Sequence, residues 1–316
     1  MNLLCITPIH HIPGLYDKMS ESFRIVYCPD PRLDDILGYS DVEIIFTNPN
    51  KSKIYLDDTV FKHMPRLKYV ATASTGTIHI NKVDCKKRNI KIISITKEFE
   101  TLNQISSTAE HAFLLTLAGV RNLPQALNSV ADGEWNYEKF VGRQLNQLTL
   151  GVVGFGRLGK MYGNYARAFS SSILIHDPEK HEDVKALGFE HAALEEIFER
   201  SDVISLHIHA EDKNLELINE DLFRVAKKSL LLINTSRGEI ICEKSLLGFL
   251  DEHNSAKYYA DVFTSEQSGL SNNLLYKSDK FGSQIILSPH IGGMTVDAQA
   301  LAYNRCLGML KETLKI

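Results

Sequence analysis

Residues 148–177 constrain the fold more tightly than any other stretch of the chain. Leu148-Thr-Leu-Gly-Val-Val153 is a short apolar, β-branched run, and Gly154-Phe-Gly-Arg-Leu-Gly159 follows it directly. A helical pattern continues through Met161, Tyr165 and Phe169, and a second strand, Ile173-Leu-Ile175, leads to Asp177. Glycine-rich hexapeptides alone make turns in many proteins. Here strand, loop, helix, strand and terminal acid stand in the order that a dinucleotide-binding βαβ unit requires.

Each glycine has a physical task. Gly154 permits the tight turn, Gly156 lets the backbone approach a pyrophosphate, and Gly159 lets helix and sheet pack closely. Phe155, Arg157 and Leu158 complete the loop, and the N–H groups of the helix start carry a partial positive charge suited to a diphosphate. Asp177 lies 177 − 154 = 23 positions beyond the first glycine. A carboxylate there accepts hydrogen bonds from ribose hydroxyls and repels a 2′-phosphate, and Pro178-Glu-Lys-His-Glu182 brings no arginine to offset that repulsion. The pattern therefore predicts NAD rather than NADP.

The 316 residues suggest about two domains, and a formal charge of −4 without a basic stripe does not point to nucleic acid. Cys5, Cys28, Cys85, Cys242 and Cys306 are scattered without C-x-x-C pairing, so neither a metal site nor a disulfide framework is expected. Met1-Asn-Leu-Leu-Cys-Ile reads as a first β-strand, not a signal peptide, and the longest apolar stretches, such as His111–Val120, are too short to span a bilayer. A soluble, cytoplasmic protein is expected, with no regulatory module beyond Ile316.

Strand signals at Leu3–Ile9, Arg24–Cys28, Val42–Thr47, Leu67–Ala73 and Ile90–Ile95 alternate with polar segments such as Leu56–Met64. That alternation predicts a small α/β domain with a parallel sheet. From Thr101 to about Asn128 the pattern is helical, with Ala109, Phe113, Leu114, Leu117 and Leu127 on one apolar face, and Pro124 is expected to end or kink the helix. Further strands are expected at Val203–Leu206, Leu230–Ile233, Tyr258–Val262 and Ile285–Leu287, and a last helix at Val296–Leu314, placed to return to the first domain. In open α/β sheets ligands bind beyond the C-terminal ends of strands. His207, Thr235–Gly238, Asp261–Glu266 and Pro289-His290-Ile-Gly-Gly293 fall on that rim, which makes His207, Thr235, Ser236 and Gly292 candidates for cofactor contact. His207 is expected on the adenine side. Plain structural roles are expected for His10, His11, His111 and His209, and Trp135 is read as a packing anchor.

Over nearly its whole length the chain resembles the D-isomer-specific 2-hydroxyacid dehydrogenase family, which contains phosphoglycerate dehydrogenases and hydroxypyruvate/glyoxylate reductases. The resemblance rests on Ala73-Ser-Thr-Gly-Thr77, Ser107-Thr-Ala-Glu-His111, Gly133-Glu-Trp135, Gly151-Val-Val-Gly-Phe-Gly-Arg-Leu-Gly159, Ile233-Asn-Thr-Ser-Arg-Gly238, Asp261-Val-Phe263 and Ser288-Pro-His-Ile-Gly-Gly293. It implies an α/β fold of two lobes, each a parallel sheet flanked by helices. A Rossmann NAD-binding domain, residues 99–291, would be inserted in a flavodoxin-like substrate domain made of 1–98 and 292–316. It implies a catalytic set of Arg237, Glu266 and His290. It also places backbone N–H groups at Ser74, Thr75 and Gly76 on a substrate carboxylate, Asp261 at the nicotinamide amide and Thr108 beside the nicotinamide ribose. A homodimer joined through the NAD-binding domain is implied too.

The chemistry calls for these residue types. Hydride transfer at C2 of a hydroxy acid moves one proton to or from the C2 oxygen, and a histidine suits that task. On this reading His290 exchanges the proton, Glu266 holds the imidazole, and the planar fork of Arg237 grips carboxylate and carbonyl. The sequence departs from the family in three places. The usual Glu-Pro is Glu266-Gln267, so a more flexible loop is expected. The usual Pro-Leu-Thr is His209-Ala-Glu211. The loop Thr47-Asn-Pro-Asn-Lys-Ser-Lys53 lacks the phosphate-binding arginines, leaving Lys51 or Lys53 as substitutes. Two other functions stand as alternatives: a non-catalytic, corepressor-like NADH sensor, and a dehydrogenase of formate or phosphite. Glu266 argues against formate, whose dehydrogenases in this superfamily pair the histidine with glutamine.

Overall fold

The computed structural model describes residues 1–49, 54–169, 172–266, 269–277 and 282–316. Lys51, Lys53 and the Gln267–Ser268 departure lie outside the described residues. The chain divides into two compact units, Met1–Ile105 with Gly293–Ile316, and Ser106–Gly292.

The first unit alternates short strands and helices: β1 (Asn2–Cys5), α1 (Leu15–Ser20), β2 (Arg24–Tyr27), α2 (Leu33–Ile36), β3 (Ile44–Thr47), α3 (Asp58–Phe61), β4 (Tyr69–Thr72), α4 (Lys82–Lys87), β5 (Lys91–Ser94) and α5 (Phe99–Leu102). The strands form a parallel sheet in the order β2-β1-β3-β4-β5. Each hydrophobic run extends beyond its strand at one end or both. Ile6 and Ile9, for example, are fully buried although β1 ends at Cys5, because the sheet has helices on both faces and its loops turn back into the core.

The second unit contains α6 (Ser107–Val120), α7 (Leu123–Ala131), β6 (Thr149–Val153), α8 (Arg157–Ala168), β7 (Ser172–His176), α9 (His181–Ala186), β8 (Glu190–His191), α10 (Leu194–Arg200), β9 (Val203–Leu206), α11 (Glu220–Val225), β10 (Leu231–Asn234), α12 (Glu243–Glu252), β11 (Lys257–Ala260) and β12 (Ile285–Leu287). Its sheet is parallel in the order β12-β11-β10-β9-β6-β7-β8, with the glycine-loop strand β6 at the point where the strand order reverses. The chain then returns to the first unit as α13 (Val296–Leu314). Tyr303, Cys306, Leu307 and Leu310 of α13 are buried in the core of that unit, and Arg305 Nε donates to Glu98 at 2.6 Å. Leu102 and Ile105 join the same core, so the crossover expected at residue 98 comes at 105.

The single helix expected over 101–128 is three. Lys257 Nζ donates to the Gly119 carbonyl at 2.9 Å and to the Asn122 side chain, and Asn122 adopts φ +54, which stops α6. Pro124 then starts α7 instead of ending a helix, because the first turn needs no N–H from it. The apolar face of α6 is Ala109, Ala112, Phe113, Leu115 and Thr116, with Gly119 against Leu231, whereas Leu114 and Leu127 are exposed. On α8 the buried face is Gly159, Tyr162, Gly163 and Ala166, and the helix ends at Ala168, one residue before Phe169. Trp135, expected as a packing anchor, is 90% exposed.

Candidate active site

The turn after β6 is shaped by close backbone contacts. Gly154 has φ +95, and a Cβ there would lie 2.5 Å from the His207 carbonyl oxygen. A Cβ on Gly159 would lie 2.0 Å from the Gly154 carbonyl oxygen, so the start of α8 closes onto the loop itself. At Gly156, with φ −73, a Cβ would meet nothing within 4 Å. Two of these glycines are thus required by the protein's own packing. The third leaves open space at the N-terminus of a twelve-residue helix, the shape and polarity that receive a diphosphate.

Asp177, just beyond β7, braces this turn. Its Oδ2 accepts the Phe155 N–H at 2.8 Å and its Oδ1 accepts the Glu179 N–H at 3.0 Å, each oxygen retaining a lone pair. Phe155 is fully buried and meets Phe189 edge to face at 5.5 Å, so the loop rests on the core. Beside it, His207 Nε2 pairs with Ser205 Oγ at 2.9 Å, while its buried Nδ1 has no partner among the described residues; burial pushes its pKa down to about 3. Thr235 Oγ1 is likewise buried and unpartnered. Two orphaned polar atoms on the same rim as the open glycine fit a polar cofactor that would supply their partners.

Farther along the rim, Asn234 is fully buried and organises the turn after β10. Its Oδ1 accepts the Ser236 N–H at 3.0 Å and its Nδ2 donates to the Arg237 carbonyl at 2.9 Å. Ser236 Oγ donates to the Leu206 carbonyl at 2.6 Å, and Arg237 Nη1 donates to the Ser236 carbonyl at 2.6 Å.

Beyond β11, the Asp261 carboxylate is only 2% exposed. It accepts the N–H groups of Ile291 at 2.8 Å and Gly292 at 2.7 Å, and the Ser288 hydroxyl at 2.5 Å. His111 Nε2 lies 3.4 Å from it and 2.8 Å from Ser288 Oγ. Burial alone would raise the pKa of Asp261; hydrogen bonds from His111, Ser288 and the two backbone N–H groups outweigh it and hold the carboxyl below its ordinary value. Gly292 also lies against Thr108, and a Cβ there would be 3.0 Å from Asp261 Oδ2 and 3.3 Å from Thr108 Cγ2. Thr108, Asp261 and Gly292 thus meet at one point. His111, read as merely structural, belongs to the same network, and its position in sequence gives no sign of that.

The loop held by Asp261 carries His290, whose φ is +53. Its Nδ1 lies 2.7 Å from Glu266 Oε2, and both side chains are about one-third exposed. A carboxylate only accepts, so Nδ1 carries the hydrogen and Nε2 is the free ring nitrogen. Arg237, Glu266 and His290 follow three neighbouring parallel strands, β10, β11 and β12.

The first unit holds the remaining candidates. After β4, Ser74 Oγ donates to the Gly76 carbonyl at 2.7 Å and pairs with Thr72 Oγ1 at 2.9 Å, which in turn lies 3.2 Å from His79 Nε2. His79 is 4% exposed, and burial pushes its pKa down to about 4, keeping it neutral and its ring fixed behind the loop. Thr75 is exposed, and its carbonyl accepts from Thr96 Oγ1 at 2.8 Å. Nothing in the sequence pattern marked His79 as the support of this turn.

Comparison with known proteins decides the family. Residues 113–292 match the model of the D-isomer specific 2-hydroxyacid dehydrogenase, NAD binding domain. The chain belongs to that family. It is 32% identical over 252 residues to a glyoxylate reductase of Pyrococcus furiosus, covering 77% of this chain and 72% of the relative. It is 32% identical over 250 residues to the D-3-phosphoglycerate dehydrogenase of Bacillus subtilis, where the match spans 79% of this chain but only 46%, about half, of the relative. Among solved structures, a D-lactate dehydrogenase from Aquifex aeolicus complexed with NAD and lactic acid is 27% identical, with a TM-score of 0.81 over 100% of this chain and 96% of that one. The larger unit is therefore an NAD-binding domain in a two-sheet α/β fold. Among the described residues no helix is long and apolar enough to cross a membrane.

Proposed function

We propose that this chain is an NAD-dependent oxidoreductase that moves a hydride between nicotinamide and C2 of a D-2-hydroxy acid or its 2-keto acid. The observation that carries the reading is the His290 Nδ1 to Glu266 Oε2 contact of 2.7 Å on the rim of an NAD-binding domain. NAD, when bound, supplies or accepts the hydride. His290 Nε2 donates a proton to the C2 oxygen during reduction and takes it back during oxidation, so each turnover balances one hydride with one proton. Glu266 fixes the tautomer that leaves Nε2 available and offsets the positive charge of the imidazolium. Arg237 binds the carboxylate and polarises the carbonyl, and backbone N–H groups at Ser74, Thr75 and Gly76 complete the carboxylate site.

For the cofactor, the open backbone at Gly156, the helix start at Arg157 and Leu158, and Phe155 would receive the diphosphate. Asp177 would take the ribose hydroxyls on its remaining lone pairs and select NAD over NADP. His207, Thr235, Ser236, Thr108, Asp261 and Gly292 would line the rest of the cofactor. The same reading makes the protein a cytoplasmic homodimer joined through the NAD-binding unit. Supporting that, α7 buries none of its residues, and Leu127, Val130, Trp135, Tyr137 and Val141 are each more than half exposed, an apolar surface of the kind that marks an interface.

Steady-state NADH oxidation against glyoxylate, hydroxypyruvate, pyruvate, 2-oxoglutarate, 3-phosphohydroxypyruvate and bulkier sugar-derived keto acids tests the reading. Turnover of one of them, abolished in His290→Ala, is the expected result. Tight NADH binding with no turnover of any would favour the sensor alternative. Sedimentation analysis of the wild type and Trp135→Glu tests the dimer, which should dissociate in the variant.

A further inference from the structure

We infer that Glu243 and Asn273 are positioning residues for Glu266, acting through the backbone of Thr264 and Ser265. The inference rests on the catalytic role proposed for the His290–Glu266 pair, but its test does not require turnover.

Glu243 opens α12, where a carboxylate ordinarily interacts with the N–H groups of its own helix. Its hydrogen bonds go elsewhere. Oε1 accepts the Thr264 N–H at 2.9 Å and Asn273 Nδ2 at 2.9 Å, and Oε2 accepts Asn273 Nδ2 at 3.0 Å. Asn273, 7% exposed, also donates to the Thr264 carbonyl at 3.2 Å, and its Oδ1 accepts the N–H of Leu275, a core residue. Thr264 is therefore clasped at both its N–H and its carbonyl by two side chains rooted in the core. The next residue, Ser265, has φ +61, a left-handed conformation that is strained for a non-glycine residue. Glu239 Oε1 accepts its N–H at 3.1 Å, from the turn that follows Arg237.

Ser265 directly precedes Glu266. A residue in that conformation relaxes unless its neighbours hold it, and a rotated Ser265 backbone would swing Glu266 away from His290 Nδ1. The clasp at Thr264 and the Glu239 contact remove that freedom. They connect the turn carrying Arg237 to the one carrying Glu266, so the base of the loop stays fixed while the carboxylate reaches the imidazole.

The test is the imidazole 15N spectrum of His290 in full-length, histidine-labelled protein at pH 8, with Glu266→Ala as the reference for a lost acceptor. The wild type should show a single tautomer with Nδ1 protonated. Glu243→Ala and, as an independent variant should that one fold poorly, Asn273→Ala should move the signals most of the way to those of Glu266→Ala. Glu243→Gln, which keeps an oxygen for the Thr264 N–H, should restore most of the wild-type signal. His290 signals that superimpose on the wild type in both alanine variants would overturn the inference. Turnover adds a second reading: Glu243→Ala should lower kcat about tenfold at unchanged NADH affinity, and should cost nothing further in a Glu266→Ala background. An equal loss in that background would mean that Glu243 acts independently of Glu266 and would also overturn it. A wild type inactive on every keto acid would defeat the functional reading while the tautomer result still decides this one.

Discussion

The two ends of the seven-stranded sheet solve different problems. At β6 and β7 the rim is built by leaving side chains out: Gly154 and Gly159 tolerate no Cβ because backbone oxygens stand 2.5 and 2.0 Å from where it would be, and Gly156 faces open space. At β11 and β12 the rim is built by putting carboxylates in. Asp261 grips Ile291 and Gly292, Glu243 grips Thr264, and Glu239 grips Ser265. The first end leaves open space beside backbone at Gly156. The second holds two left-handed residues, Ser265 and His290, so that one carboxylate meets one imidazole.

The comparison predicts separable failures. The largest effect belongs to the carboxylate end: His290→Ala should lower kcat by about two orders of magnitude or more, the usual worth of a general acid or base. Undiminished turnover would remove the proton-transfer role.

Next comes the glycine end's intolerance of a methyl group. Gly154→Ala combines a left-handed backbone with an overlap against His207, and about 2–3 kcal/mol of stability should be lost. Thermal unfolding measures it as a midpoint lower by roughly 5 °C or more.

Acid should distinguish the two ends as well. His207 has a folded pKa of about 3, far below its unfolded value, so the unfolded chain binds the proton first. The stability linked to His207 is complete above about pH 6.5 and drains away as pH falls from there toward 3, about 2 kcal/mol between pH 6.5 and 5. Asp261, held below its ordinary value, loses its contribution only below its unfolded pKa of about 4. Melting curves at pH 7 and pH 5 should thus differ less in His207→Gln than in the wild type. An equal drop in both would show that other groups control the mild-acid range.

A smaller effect is expected at Asp177. Asp177→Ala should reduce the preference for NADH over NADPH by about tenfold, roughly 1.4 kcal/mol, through loss of the charge facing a 2′-phosphate. Part of any loss in NADH affinity would come from the loop, since Asp177 also holds the Phe155 N–H.

The contrast also explains what was legible before the structure. Strands β9 and β12 and helix α13 fall where their hydrophobic patterns put them, because short apolar parallel strands and an amphipathic helix write their period directly into the chain. The glycine loop was legible because a backbone conformation open only to glycine leaves glycine in the sequence. The break between α6 and α7 was not, since it depends on Lys257, more than a hundred residues away. The packing role expected of Trp135 is not met, because whether a side chain meets its own chain is not a property of its local pattern. His79, Glu243 and Asn273 carry no motif of their own, and the motif that ends at His111 does not reveal its partner. His79 acts across its own loop, on Thr72, and the other three on segments 30 or more residues away; only folding makes those contacts visible.

The separation of the two ends is tested most directly by titrating NADH into the wild type, Gly156→Ala and His290→Ala. A Cβ at Gly156 meets nothing in the protein, so that variant should fold and melt like the wild type, yet bind NADH at least about tenfold more weakly because the methyl group occupies the diphosphate's space. His290→Ala should bind NADH as the wild type does. Wild-type affinity in Gly156→Ala would contradict the account, because the open glycine would then not be where the cofactor approaches the backbone.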